Sequence, residues 1–343
     1  MLTLMESGGI ALLVTVLGTP LLLIWLRSRQ IGQQIREDGP ATHIAKAGTP
    51  TMGGLAIVAG VVAGFLMGHV GTDDHVSRSG VLVVCTVAAC GLIGFLDDWI
   101  KVRHRRSLGL NKRAKAVAQL AVGVGFAELA VHWAHTSTAL SFTRWDLPGV
   151  QMGQVAWAIF ATLVIVAGSN AVNLTDGLDG LAAGSATFCF AVLAVIGYWA
   201  FRHFGIYRVA SALDLAVCAC ALAGACLGFL WWNAAPAKIY MGDTGSLAIG
   251  SGLAALGLLL NLDLLLPILG GLFVIVTMSV IIQVFSFRVF GRRVFRMAPL
   301  HHHFELKGWP ETTVIVRFWI LGAIFAALGL GIFYGDFLTV AKG

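Results

Sequence analysis

The sequence predicts an all-α polytopic integral membrane protein of about ten transmembrane helices, and three observations carry that expectation. Of its 343 residues 58% are hydrophobic and only 12% charged, with a mean hydropathy of +0.85, far outside the range of soluble domains. Apolar runs of the ~20 residues needed to cross a bilayer recur along the whole chain. Basic residues fall in alternate connections between those runs, as they do when Lys and Arg are retained on the cytoplasmic side during insertion.

In chain order the spans are expected at 8–26, 52–71, 80–96, 114–133, 153–170, 180–201, 213–232, 244–260, 264–286 and 314–335. The first has Glu6 before it and Arg27 and Arg29 after it, so it lacks the positive leader of a signal peptide and is expected to be a retained helix. The eighth and ninth are nearly continuous. They divide at Asn261-Leu262-Asp263, with Pro267 just beyond, because an Asp there favours an interfacial turn over burial at mid-bilayer. With this division the connections 27–51, 97–115, 171–180, 233–243 and 287–317 hold all but five of the 23 Lys and Arg residues. Only Arg78, Arg144, Arg202, Arg208 and Lys342 remain for the other face. Those five connections are therefore expected in the cytosol, with both termini outside and one membrane domain covering residues 1–343.

The net charge of +6 does not point to nucleic acid, because the excess sits beside the membrane, where anionic lipid headgroups attract it. The run Lys101-Val102-Arg103-His104-Arg105-Arg106 reads as such an anchor, with capture of a phosphorylated ligand as its alternative. Cys85, Cys90, Cys189, Cys218, Cys220 and Cys226 all lie in apolar spans without Cys-x-x-Cys spacing. Packing suits them better than a disulfide framework or a zinc site.

The acidic and imidazole motifs gather in the connections assigned to the cytosol, which reads as an active site built from cytosolic loops. Asp97 and Asp98 follow the apolar run 90–96 directly. Adjacent carboxylates repel, so their coexistence calls for a divalent cation or for Lys101, and hard oxygen ligands suit Mg²⁺ better than zinc; a solvated helix end is the plainer alternative. The segment 173–180 sets Asn173 ahead of two carboxylates, Asp176 and Asp179, with Gly177 and Gly180 permitting close backbone approach. Helix capping competes with ligand binding there. In 241–246, Asp243 is either a metal ligand or an N-cap, with Asn233 and Lys238 upstream. His301, His302 and His303 are consecutive, with Glu305 and Trp309 nearby. Three neighbouring imidazoles do not readily face one metal, so contacts to phosphate or sugar suit them better, one being acid-base competent. The segment 46–54 brings Lys46, Thr49 and Thr51 to the start of the second span without Walker spacing. Carboxylates for Mg²⁺, cations for phosphates and a mouth opening onto lipid together suggest phosphoryl transfer between a soluble nucleotide and a membrane lipid.

These blocks, Gly48 to Gly54, Asp97-Asp98, Asn173 to Gly180, Met241 to Ser246 and Pro299 to Leu306, resemble in order those of the phospho-N-acetylmuramoyl-pentapeptide transferases (the MraY family). That family lies within the polyprenyl-phosphate N-acetylhexosamine-1-phosphate transferases. The histidine block resembles the muramoyl branch more than the N-acetylglucosamine branch. The resemblance implies ten spans with outside termini, Mg²⁺, the substrates UDP-MurNAc-pentapeptide and undecaprenyl phosphate, the products lipid I and UMP, and a homodimer in the bacterial plasma membrane. It implies Asp243 as the main metal ligand, with Asn173, Asp97 and Asp98 beside it. Asp97 and Asp98 match the essential acidic pair, which activates the lipid phosphate or contacts the metal. Lys46, Thr51, Asn173, Asp176, Asp179 and Asn233 match nucleotide-side or metal-proximal positions. His301, His302 and His303 match a pyrophosphate or sugar-side cluster, Tyr240 takes a place for stacking on uracil, and Arg113 and Lys115 rank second. The rivals are a sister enzyme that transfers GlcNAc-1-phosphate and, more distantly, a transporter, whose acids belong near mid-bilayer rather than at one face.

Overall fold

The computed structural model describes residues 1–29, 48–70, 76–104 and 109–341; Lys46, Arg105 and Arg106 lie outside them. In chain order, α1 (Leu2–Ser28), α2 (Gly54–Gly68), α3 (Arg78–Arg103) and α4 (Lys112–His132) precede a hairpin of β1 (Ala139–Arg144) and β2 (Leu147–Gln151). Then come α5 (Gly153–Thr175), α6 (Leu181–Arg202), the single turn α7 (Phe204–Tyr207) and α8 (Ala212–Asn233). The last part comprises α9 (Gly242–Leu259), α10 (Leu266–Leu269), α11 (Gly271–Phe290), α12 (Leu300–Glu305) and α13 (Glu311–Val340).

Each expected span corresponds to a helix, but among the described residues eight helices are long and apolar enough to cross a membrane. The two others are special. α2 has 15 residues, fewer than the ~20 a bilayer requires. α9 is buried continuously from Thr244 to Leu259 and packs against α2, α3 and α5. A helix with no lipid-facing side needs no apolar coat, and this one carries Gly245, Ser246, Gly250, Ser251 and Gly252. On α3, Gly94 lies directly against the backbone of Asp243 and Thr244, where any Cβ would collide. At the periphery, α1 exposes Leu13, Leu17, Leu21 and Ile24, the i, i+4 stripe of a helix turned toward lipid.

Several boundaries differ from the hydropathy reading for one reason: an apolar run marks where burial in lipid stops, whereas the helix continues while backbone and side-chain pairing sustain it. α3 runs on to Arg103, so Asp97 and Asp98 occupy its final turns rather than a loop. The i, i+4 pair of Asp97 with Lys101 and the basic residues Lys101 and Arg103 near the C-terminus favour that extension. α5 likewise reaches Thr175, placing Asn173 on helix and Asp176 at its C-cap. The histidines lie on the short helix α12, not in an open loop.

The division at 261–263 stands: α9 stops at Leu259 and Asn261 takes a positive φ of 57°. The ninth span starts later than expected, because α10, with Pro267 in its first turn, precedes α11. The antiparallel hairpin, absent from the all-α expectation, packs over the far ends of α9 and α13. The Ser141 N–H donates to Asp263 at 3.0 Å, the Thr143 hydroxyl to Asp336 at 2.7 Å, and Arg144 pairs with Asp336 at 3.2 Å. The polar motifs at the ends of α3, α5, α8 and α9 converge at the opposite end.

Candidate active site

The site is built where α9 begins. Backbone pairing clasps its approach to the entry of α2: Tyr240 N–H donates to Pro50 O, Gly53 N–H to Tyr240 O, and Gly54 N–H to Met241 O, at 2.8, 2.8 and 2.9 Å. Gly242, at φ +68°, makes the turn that launches the helix, and its missing side chain leaves room for Thr51 and Asp98.

Asp97 and Asp98 are neighbours in sequence but point about 100° apart around the α3 axis, and they do different things. Asp98, 2% exposed, accepts from the backbone N–H of Asp243 at 3.2 Å and of Thr244 at 3.0 Å, and from the Thr244 hydroxyl at 2.8 Å. It thus caps α9 from another helix, satisfying N–H groups that a helix start leaves unpaired. Asp97 accepts from the Leu110 N–H at 2.9 Å. The Lys101 ammonium lies between the acids, 2.6 Å from Asp97, 3.5 Å from Asp98 and 2.9 Å from Asp243. Lys115, at the start of α4, reaches Asp243 at 2.7 Å. The Asn173 amide donates to the other Asp243 oxygen at 2.7 Å and to Ser246 at 2.8 Å.

One carboxylate oxygen from each of Asp97, Asp98 and Asp243 lies within 4.8 Å of the others. The set is all hard oxygen, partly wet at Asp243 and already arranged around a cation, which fits a magnesium ion; such an ion would compete with Lys101 for the same oxygens. No histidine belongs to this group among the described residues.

The neighbouring motifs form a polar wall. The Asp179 carboxylate accepts from Ala237 N–H at 2.9 Å, while its own N–H donates to Glu311 at 3.2 Å. Asn233 engages both ends of its amide inside the chain, accepting from Gly180 N–H at 3.0 Å and donating to Ile239 O at 2.9 Å. Burial, followed by the like charges of Asp243, Asp98 and Asp179, pushes the Asp176 carboxyl well above the ordinary carboxylate range. The three histidines diverge: buried His301 packs on Gly177, His302 meets Glu305 at 2.6 Å, and His303 accepts from the Arg296 N–H at 3.0 Å.

Lys101 is more central than a charge-compensating neighbour, and its i+4 spacing from Asp97 is the signal that finds it. Thr244, Ser246 and Glu311 join the site without a local signal of that kind, since their partners there lie 73 to 146 residues away.

Residues 80–261 match the family description "Glycosyl transferase family 4", and residues 46–58 match "Phospho-N-acetylmuramoyl-pentapeptide-transferase signature 1". The chain is 52% identical, over 345 residues and 96% of each chain, to the phospho-N-acetylmuramoyl-pentapeptide-transferase of Streptomyces avermitilis. This chain belongs to the phospho-N-acetylmuramoyl-pentapeptide transferase family. A family relative from Saccharopolyspora erythraea is 49% identical over 358 residues, spanning 100% of this chain and 99% of its own. One from Rhodococcus opacus is 51% identical over 354 residues and 98% of each chain. The signature and these relatives favour the muramoyl branch of the transferases over the N-acetylglucosamine sister, and an enzyme over a transporter.

Proposed function

We propose that this chain transfers phospho-MurNAc-pentapeptide from UDP-MurNAc-pentapeptide to undecaprenyl phosphate, giving lipid I and UMP, the first membrane step of peptidoglycan synthesis. Full-length identity of about half to transferases of that name is the observation that carries the reading, and the acid-and-lysine cluster is the chemistry that suits it.

An oxygen of the lipid phosphate attacks the sugar-bearing phosphorus of the UDP conjugate. One P–O bond forms as the bond to UMP breaks. The attacking group is already an anion, because a phosphate monoester has its second pKa near about 6, so neutralising charge matters more than removing a proton. Asp97, Asp98, Asp243 and Asn173 would hold Mg²⁺, which when bound would offset the pyrophosphate charge and that of departing UMP. Asp98 belongs to the same acidic centre, and the bonds it accepts hold the start of α9, and with it Asp243, in position. Lys115 and Lys101 lie where they can turn from carboxylate to phosphate oxygens. Thr51, Asp176, Asp179 and Asn233, with Lys46, shape the nucleotide side, and Tyr240 stacks on uracil. His301, His302 and His303 serve the pyrophosphate and sugar side, His302 being the acid-base candidate through Glu305. A single displacement accounts for transfer without an aspartyl-phosphate. The site faces the cytosol, consistent with the basic residues in its connections, and the enzyme is a homodimer.

The test is UMP release and lipid-product formation by detergent-purified protein with undecaprenyl phosphate and Mg²⁺, comparing UDP-MurNAc-pentapeptide with UDP-GlcNAc. Turnover of the muramoyl substrate alone, abolished by EDTA and by Asp243→Asn in a protein that still folds, is the expected result. Turnover of UDP-GlcNAc alone would move the chain to the sister branch.

A further inference from the structure

One turn farther into the bundle than the acidic cluster lies a second polar layer, between α4 and α5. Gln119 on α4 is 3% exposed and engages both ends of its carboxamide with α5. Its Nε2 group donates to the Ser169 hydroxyl at 3.2 Å, and its Oε1 accepts from the Asn170 amide at 3.1 Å. The partners fix the direction of this carboxamide. The Ser169 hydroxyl directs its proton to Val166 O at 3.0 Å and so offers Gln119 a lone pair, while Asn170 divides its two N–H groups between Val166 O at 2.8 Å and Gln119. The layer lies under the site on two helices at once: Gln119 is i+4 from Lys115, and Ser169 and Asn170 are i−4 and i−3 from Asn173. Lys115 and Asn173 in turn hold opposite oxygens of Asp243, at 2.7 Å each.

The two helices differ in what else holds them. α5 meets α9 backbone to backbone, Gly168 against Gly250, where a Cβ on either would collide, and this seats Asn173 without help from α4. α4 is peripheral, exposing Val117, Leu120 and Val124. Gly123 lets it close on Thr162, and its inward residues Ala118 and Val122 pack on the cluster of Cys90, Ile93 and Leu247. Apolar contacts are non-directional and tolerate small turns and slides of the helix, whereas a carboxamide that must meet a donor and an acceptor together is satisfied at one height and one rotation. Among the described residues, and Lys115 apart, Gln119 supplies the only side-chain hydrogen bonds from α4 to another helix. We propose that Gln119 is a positioning residue for the transfer reaction: it sets the register of α4 on α5 and so keeps the Lys115 ammonium at Asp243, in place to pass to a phosphate oxygen. The catalytic part of this rests on the reaction proposed above; the placement of Lys115 does not.

The test compares the detergent-purified full chain with Gln119→Leu, in which Ser169 and Asn170 both keep Val166 O as an acceptor. A misplacement of about 1 Å can cost about a hundredfold in rate, moderated here by the flexible stem of a lysine. An interaction made only in the transition state shows in kcat and not in KM. Gln119→Leu should therefore lose at least about tenfold in kcat with KM for both substrates within about twofold of wild type, a split that a packing role would not produce. Asn170→Leu, which opens the clasp from the α5 side, should lose kcat in the same way and decides the matter if Gln119→Leu does not fold. A cycle of melts in EDTA without substrate reads the placement alone: Lys115→Gln should lower the midpoint less than half as far in the Gln119→Leu background as in wild type. A kcat within about twofold of wild type in the folded variants, or midpoint losses that simply add in the cycle, would overturn the proposal. A wild type that does not turn over the muramoyl substrate would sink the proposed reaction, and the cycle would still decide whether Gln119 places Lys115.

Discussion

Replacing Asp98 with alanine removes the acceptor for three donors at the start of α9: the N–H groups of Asp243 and Thr244 and the Thr244 hydroxyl. The hydroxyl can rotate to another acceptor, but the two amides cannot. An orphaned buried donor costs about 1–3 kcal/mol, and a lost helix cap costs roughly 0.5–2 kcal/mol. Against this, the substitution relieves the repulsion of Asp98 by Asp97 and Asp243, and Lys101 keeps its two closer partners. The balance is a loss of about 3 kcal/mol, or roughly 4 °C in unfolding midpoint for a chain of this size. Asp98→Asn retains an oxygen acceptor and should recover at least half of that. Asp97→Ala orphans a single amide, that of Leu110, and should cost less than Asp98→Ala. Tryptophan-fluorescence melts in detergent with EDTA read these differences without substrate or metal, and so separate holding α9 from taking part in chemistry. An Asp98→Ala protein that melts with wild type, or an Asp97→Ala protein that falls further, would refute the capping role.

Lys101→Gln removes the ammonium shared by three carboxylates and should make stability depend on Mg²⁺. At a hundredfold excess over its dissociation constant the ion should restore about 2.7 kcal/mol, seen as a larger Mg²⁺-induced rise in midpoint than in wild type; equal rises would exclude a shared cation position. Gly94→Ala forces a methyl group into the backbone of Asp243 and Thr244 and should cost about 1–3 kcal/mol by overpacking, with turnover falling as α3 and α9 separate; unchanged stability and turnover would refute that contact. At the opposite end, burial, partly offset by hydrogen bonds from Ser141, raises the Asp263 carboxyl to about 7. A carboxyl that holds its proton more tightly when folded stabilises fully below the unfolded value of about 3.9, and that contribution is lost as pH rises through about 7, at most ~4 kcal/mol. Midpoints taken between pH 4.5 and 8 should therefore fall for wild type and stay flatter for Asp263→Asn, and parallel curves would show that Asp263 does not titrate there.

Hydropathy and basic-residue alternation were enough to place the helices and to predict that the acidic, amide and imidazole motifs share one end of the bundle. That much is local, because the free energy of moving a segment into lipid is a sum over its own residues. The turn at Asn261 to Asp263 was legible for the same reason, a carboxylate being costly at mid-bilayer. Which side chains meet was decided only by the tertiary structure. That Asp98 caps α9, that Lys101 stands between three carboxylates, that Asn233 holds Gly180 and that Asp263 receives the hairpin at Ser141 all depend on contacts across 53 to 146 residues. Those contacts follow from how far each helix turns and slides against its neighbours, and the close approach of α3 to α9 at Gly94 sets both. A run of apolar residues carries no record of that rotation, so adjacent residues as alike as Asp97 and Asp98 acquire different work only when the helices pack.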